Sequence, residues 1–371
     1  MGSTRALSRL SAVHVVRNRA GAPFAGTRGL VVLDGSVGEG GGQTVRTALT
    51  LSAVTGKPFR IEQIRANRVV GGLGEQHLTC VRAAEQICSA NTRGAQVGSK
   101  TLEFHPRDPI TGQYEFSVST AGSAVLVCQT VLPALMCLDG PSLLTFRGGT
   151  HNPMAPTFDF LQNSYLPMLR LLGPECQALL QRPGFFPAGG GRFHVRLKPT
   201  PKEKLKFLEL VDRGRVLRKE VVCLFAGHGF RYAQDQVREL TESMDWREVG
   251  VYLDEWESDS PGMVLNASIV SENVTECFTS LAKPRKVHMS SQLVPLCKRI
   301  REYLSSDALV SEYLADQMLL PMALGRGGEF TCTEITPHLR TQMYVIEKFL
   351  TVEFATEKLE DKTAWSVLIS V

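Results

Sequence analysis

No Cys-x-x-Cys pair occurs among the nine cysteines, which sit mostly inside apolar runs. That argues against a disulfide framework or a zinc ribbon and for buried thiols in a reducing compartment. No stretch approaches the ~18 uninterrupted apolar residues of a membrane helix, so no membrane partner is expected. Gly-x-Ser-x-Gly and His-Glu-x-x-His are both missing, which leaves a serine hydrolase or a zinc protease nothing to stand on. Charge of neither sign dominates: the formal net charge is +4, with no basic tail or stripe. Such a balance permits a polyanionic ligand without demanding one. Acidic residues are lacking ahead of Asp34, whereas Arg5, Arg9, Arg17, Arg19 and Arg28 all precede it. Residues 1–29 are therefore expected to be a disordered extension, with a targeting segment as the other reading.

What is present is ample apolar material, 43% of 371 residues, enough for a large core and for two domains. Leu30 to Asp34 reads as a strand, Thr44 to Val54 as a helix, Phe59 to Ile64 as a strand and Leu78 to Ile87 as a helix. The same order returns with strand Tyr114–Ser119, helix Ala124–Leu138, strand Leu143–Phe146 and helix Phe158–Leu172. A third round runs through a helix from about Glu312, strand Phe330–Ile335 and a helix from Pro337. Each round ends in further strand-like sequence: Lys100–Phe104, Gly191–Leu197, and Val352–Phe354 with Trp365–Ile369. The fold class is thus α/β (α+β), with three repeated βαβαβ units. The stretch 201–286 is richer in charge and carries its own strands, Val221–Phe225 and Met263–Val270, around a helix Arg231–Met244. It reads as a small inserted α/β domain, leaving 30–200 plus 287–371 as the main body.

Chemistry-bearing residues gather in three places. Gly38 to Arg46, GEGGGQTVR, is a glycine-rich loop opening a helix, a geometry that lets backbone N–H groups approach phosphate. It lacks the ending of a P-loop and the spacing of a dinucleotide fold, and a tight turn is its plainer explanation. Its company favours a site: Glu39 can hold a metal, and Gln43 and Arg46 lie one turn apart. The second place is the loop with Arg65 and Arg68, leading to Gln76 and His77, either a solvated loop or a phosphate clamp. The third is His338. Thr336 offers an N-cap and Pro337 suits the first helical position, so His338 falls in the first turn. That is an anion-favouring place where a histidine tends to stay neutral, although such a residue can equally just face water. His77 and His338 hold equivalent positions in two of the units.

Together DGSVGEGGGQTVR, QHL at Gln76–Leu78, AGS with LVCQTVLPAL, GGTHNPMAP, GFFPAGGGR, EYLADQMLLPMAL and HLRT followed by IEKFL resemble the RNA 3′-terminal phosphate cyclase family, in its bacterial-type form. The resemblance spans roughly residues 30 to 371. It implies a three-unit body like the C-terminal fold of a translation initiation factor, plus a small insert. It also implies a ligase-type reaction: ATP and a divalent metal, Mg2+ or Mn2+, convert an RNA 3′-phosphate end to a 2′,3′-cyclic phosphodiester through a covalent histidine–AMP intermediate. By position His338 matches that nucleophile and Glu39 the metal-site acid. Gln43 and Arg46 match the phosphate pocket. Arg65, Arg68, Gln76 and His77 match the second polar loop, and Gln129 the middle unit's contribution. Tyr313 and Pro156 match the residues that sandwich adenine, with Asp316 and Gln317 beside the histidine. The chain departs from the family pattern with Gly71 in place of proline, Glu75 in place of a basic residue or proline, and Gln342 in place of an Asn. The alternative reading is a non-catalytic cyclase-like factor in ribosome assembly; that branch lacks the histidine, so His338 favours the enzyme. The expected setting is intracellular and cytoplasmic, or nuclear in a eukaryote, with mitochondrial targeting by residues 1–29 the lesser alternative.

Overall fold

Alternation of apolar and polar residues builds the sheets. In Gly191–Lys198, Phe193, Val195 and Leu197 are buried while Arg192, His194, Arg196 and Lys198 lie on the other face. The computed structural model describes residues 29–119, 121–281, 290–360 and 362–371; the expected extension, apart from Gly29, lies outside the described residues. The first unit runs β1 (Val31–Asp34), α1 (Gln43–Thr55), β2 (Phe59–Glu62), α2 (Glu75–Cys88), β3 (Asn91–Arg93) and β4 (Leu102–His105). The second runs β5 (Gln113–Ser117), α3 (Ala124–Leu135), β6 (Ser142–Gly148), α4 (Phe158–Phe160), a π turn (Leu161–Tyr165), α5 (Leu166–Leu172), β7 (Glu175–Arg182) and β8 (Gly191–Lys198). After β9 (Leu208–Leu210) come β10 (Val216–Ala226), α6 (Phe230–Ser243), β11 (Gly250–Glu255), β12 (Gly262–Ser271), β13 (Thr275–Leu281) and α7 (Ser290–Ser305). The chain then closes with α8 (Glu312–Leu324), β14 (Gly328–Cys332), α9 (Pro337–Phe349), β15 (Glu353–Lys358) and β16 (Trp365–Ser370).

Three four-stranded sheets share one plan. Their orders are β1-β2-β4-β3, β5-β6-β8-β7 and β9-β14-β16-β15. In each the first pair is parallel and the remaining pairs are antiparallel. Parallel pairing needs a crossover, and α1, α3 and α8 supply it. The five-element βαβαβ unit is one strand short of what forms. β3 is Asn-Thr-Arg, with no apolar alternation to announce it, and β7 keeps Ala178 and Leu180 only partly buried.

The expected limits of the insert also meet the pairing pattern differently. β9 lies within 201–286, yet it pairs parallel with β14 of the third sheet, from Gly328↔Leu208 to Phe330↔Leu210. α7 lies beyond 286, yet Leu293, Leu296, Cys297, Ile300 and Tyr303 share an apolar cluster with Val221, Phe225, Val237, Leu240 and Ile269. We propose that the inserted unit runs from β10 to α7. Its own sheet, β11-β10-β12-β13, is separate from the other three.

One apolar cluster joins the three units, with contributions from α1, α2, α3, α5, α8 and α9. α3 is buried at every position from Ala124 to Leu135, as a helix enclosed on all sides must be. The insert meets this body through a carboxylate. Glu276 on β13 is fully buried and accepts hydrogen bonds from the Ser311 N–H (2.8 Å) and hydroxyl (3.0 Å), just ahead of α8. Burial pushes its carboxyl up to about 8, against the pull of the two serine bonds.

The sign of this shift sets a stability window. Between its ordinary 4.5 and about 8, the unfolded chain ionises Glu276 before the folded one does, so stability is lost as pH rises through that range. Glu276→Gln keeps an acceptor and a donor but cannot ionise. Its melting temperature should match wild type near about pH 5 and exceed it by a few degrees near about pH 9. A difference that is constant with pH would show that Glu276 titrates normally.

Candidate active site

The end of the site that the sequence marks most clearly is the start of α9. The Thr336 hydroxyl accepts from the Leu339 N–H (3.0 Å), as an N-cap does, and donates to Asp316 Oδ1 (3.3 Å) on α8. Pro337 is the first helical residue, and His338 stands in the first turn with 47% of its side chain exposed. Asp316 is buried, which pushes its carboxyl up to about 7 although the Thr336 bond pulls it down. The carboxyl thus ties the helix that precedes the site to the helix that carries the histidine.

The glycine-rich loop between β1 and α1 closes on this turn. The Glu39 N–H donates to Thr341 Oγ1 (3.0 Å), and that hydroxyl donates to the Pro337 carbonyl (2.7 Å). Gly38 has φ 67°, and a Cβ there would run into the Thr341 hydroxyl. A Cβ at Gly42 would collide with His77 Nε2 and crowd Arg46. These glycines let three helix beginnings, those of α1, α2 and α9, approach one another.

Charges then converge. Arg68 forms a close ion pair with Glu39, whose Oε1 lies 3.9 Å from His338 Nε2. Arg65, at φ 55°, donates to the Gly72 carbonyl (2.9 Å) and so shapes its own loop. Arg46 reaches in from the first turn of α1. His338 is held below its ordinary 6.5 by burial and then by Arg46 and Arg68. His77 is pulled down to about 3, by burial first and then by Arg46, Arg65 and Arg68. Both imidazoles are neutral at neutral pH in a surrounding that favours anions.

An unbroken line of amides runs behind His338. Its Nδ1 pairs with Gln43 Oε1 (2.9 Å); Gln43 Nε2 donates to Gln342 Oε1; and Gln342 Nε2 donates to the Asp316 backbone carbonyl (2.9 Å). Thr47 adds a second donor to Gln342 Oε1 (3.4 Å). Below them is a cavity of about 30 Å³, room for a water, lined by residues of α1, α3, α8 and α9. Gln43, Gln129, Gln317 and Gln342 line it, so each unit contributes at least one glutamine. Both polar atoms of the Gln129 amide are buried with no partner, an arrangement that awaits a ligand or a water.

Of the expected site residues, Glu39, Gln43, Arg46, Arg68, His77 and His338 come together around the glycine loop. Gln76 turns elsewhere: its Oε1 accepts from the Ser123 N–H (2.8 Å) and holds the start of α3. Gln129 and Gln317 line the cavity rather than the open face. Tyr313 is 51% exposed, with Arg299 over one ring face at 5.4 Å, so only the opposite face is free for stacking. Pro156 is half-buried just before α4 and lines no part of the cavity. Thr47, Thr341 and Gln342 were not expected as site residues. Helical spacing was the signal available: Thr47 follows Gln43 by four, and Thr341 and Gln342 follow His338 by three and four.

Residues 37–356 match the family model described as RNA 3′-terminal phosphate cyclase. The chain is 46% identical over 346 residues to the RNA 3′-terminal phosphate cyclase of Koribacter versatilis, covering 91% of this chain and 95% of that protein. Among solved structures it is similar to the enolpyruvyl transferase NikO from Streptomyces tendae, at a TM-score of 0.33 and 11% identity, covering 91% of this chain and 47% of that one. It is also similar to EPSP synthase from Acinetobacter baumannii, at a TM-score of 0.27 and 12% identity, covering 88% of this chain and 62% of that one. Likenesses this weak carry no argument.

The Thr341 latch can be measured on its own. Thr341→Val removes the acceptor of the Glu39 N–H and should cost about 1–3 kcal/mol in denaturant unfolding. Unchanged stability would mean that the glycine loop is held by its other contacts.

Proposed function

The chain belongs to the RNA 3′-terminal phosphate cyclase family, and from that we propose that it is the enzyme that closes RNA 3′-phosphate ends to 2′,3′-cyclic phosphodiesters with ATP. The observation that carries the reading is His338: a neutral imidazole on the first turn of a helix, beside Arg46, Arg68 and Glu39. A non-catalytic factor would need none of this.

The steps follow from those groups. An imidazole nitrogen of His338 attacks the α-phosphorus of ATP; the phosphorus–oxygen bond to pyrophosphate breaks and a phosphoramidate to AMP forms. Charge that builds on the non-bridging oxygens and on departing pyrophosphate is met by Arg46 and Arg68 and by the N–H groups of the glycine loop. An oxygen of the RNA 3′-phosphate then displaces the imidazole, passing AMP to the RNA. The neighbouring 2′-hydroxyl attacks the activated 3′-phosphorus and AMP leaves, a step served by proximity. In this reading Arg65 and His77 bind that 3′-phosphate. The amides of Gln129 and Gln317 form the floor of the nucleotide site, with Tyr313 and Pro156 flanking adenine.

A divalent metal fits in one way. Among the described residues no group of three His, Cys, Asp or Glu side chains can hold an ion, but Glu39 offers a single carboxylate beside the phosphate pocket. Mg2+ is commonly held by one or two carboxylates with substrate phosphates completing the shell, so Glu39 would share it with ATP. Bound there, it would neutralise charge on the leaving pyrophosphate. Glu39→Ala should keep the fold and lose most histidine adenylation at limiting metal; normal adenylation would remove Glu39 from the metal site.

The central test uses α-labelled ATP with metal, followed by denaturing electrophoresis. Wild type should carry acid-labile label and His338→Ala none, with no cyclic ends formed. His77→Ala should still take label but cyclise more slowly, having lost a positioning contact and not the nucleophile. Label on the His338 variant and none on the His77 variant would reverse the roles.

A further inference from the structure

We propose that Gln342 is a positioning residue that sets the tautomer of His338, so that Nδ1 carries the proton and Nε2 presents the lone pair that attacks phosphorus. The proposal rests on the reading of His338 as the nucleophile. It begins at a group whose polarity cannot change. The Asp316 backbone carbonyl can only accept, so the Gln342 side chain, 2.9 Å away, must turn its NH2 toward it. That directs Gln342 Oε1 at Gln43 and at the Thr47 hydroxyl, 3.4 Å away. Facing an acceptor, Gln43 donates with its own NH2, which leaves its Oε1 for His338 Nδ1 at 2.9 Å. An oxygen that can only accept pairs with a ring nitrogen only if that nitrogen bears the hydrogen. A neutral imidazole has one such hydrogen, so Nε2 is left bare.

Two neighbours bear on this assignment. Glu39 would favour a proton on Nε2, but its oxygen is 3.9 Å away, beyond hydrogen-bond reach, and the carboxylate is engaged by Arg68. His77, at the matching place on α2, is set the opposite way: its Nδ1 accepts from the Gly74 N–H at 3.3 Å, so its proton sits on Nε2. One histidine therefore offers a lone pair at Nε2 and the other a donor, which suits one to attack phosphorus and the other to bind phosphate. The line behind His338 is buried, with Gln43 at 7% and Gln342 at 5% exposure, so bulk water does not reach it.

The test reads the ring nitrogens directly, by long-range 1H–15N correlation on 15N-histidine-labelled full-length protein without nucleotide, at a pH where His338 is neutral. The His338 signals are assigned by their loss in His338→Ala. Wild type should show the Nδ1–H form for His338. Gln342→Met removes both polar atoms at similar volume; it should release Gln43, shift His338 toward the Nε2–H form and slow adenylation by on the order of tenfold or more. Gln342→Glu retains an oxygen that accepts from Gln43; it should keep the Nδ1–H form and adenylate faster than the Met variant. A role in packing alone predicts the reverse order, since a buried site tolerates Met better than Glu. Wild-type His338 in the Nε2–H form overturns the proposal without any substitution. So does an unchanged tautomer in a folded Met variant; should that variant not fold, loss of the Nδ1–H form in the Glu variant overturns it equally. Covalent label on His338→Ala is a different failure, because it removes the nucleophile itself whatever the tautomer.

Discussion

The beginning of α1 is pressed against the beginning of α9, and the site depends on that contact. Two helix N-termini carry like partial charge and do not attract each other. They are held by hydrogen bonds that span nearly the whole chain: Glu39 N–H to Thr341, Gln43 to His338, and Gln43 to Gln342. The juxtaposition concentrates helix-start N–H groups and arginines in one place, an arrangement that favours anions. Glu39, paired with Arg68, places one negative charge there from the protein itself.

The layered architecture explains how such a contact is kept. Each unit turns a sheet face outward and its crossover helix inward, and α1, α3 and α8 meet around a common apolar cluster. Because the helices are buried, the few polar groups they carry inward must pair with one another, and the amides near α1 do so. Gln129 beside the cavity is left without a partner, as is the buried Thr44 hydroxyl on α1. The insert braces this arrangement from outside: Glu276 on β13 satisfies Ser311 at the start of α8, the helix that carries Asp316 and Gln317.

How much of this was legible in the sequence depended on range. The start of α9 was readable because Thr-Pro-His-Leu is a local signal: an N-cap hydroxyl, a proline that needs no N–H, then an apolar face at helical spacing. The α/β class was readable because period-two and helical patterns alternate along the chain. β9 was not, since a three-residue strand has no period to detect and its partner β14 lies on the far side of the insert. The stretch that forms α7 falls in the main body by the sequence limits because it lies beyond residue 286, and nothing local says which core a helix there faces.

The site divides in the same way. The sequence by itself determined the residue types, the glycines that permit close approach, and the first-turn position of His338. Only the tertiary structure decided which groups face one another: that Gln76 serves the start of α3, that Arg299 covers one face of Tyr313, and that Gln342 stands behind Gln43. Backbone conformation is chosen by neighbours a few residues away, whereas the direction of a hydrogen bond is chosen by whatever lies across it. For His338 that partner is 295 residues distant in the chain.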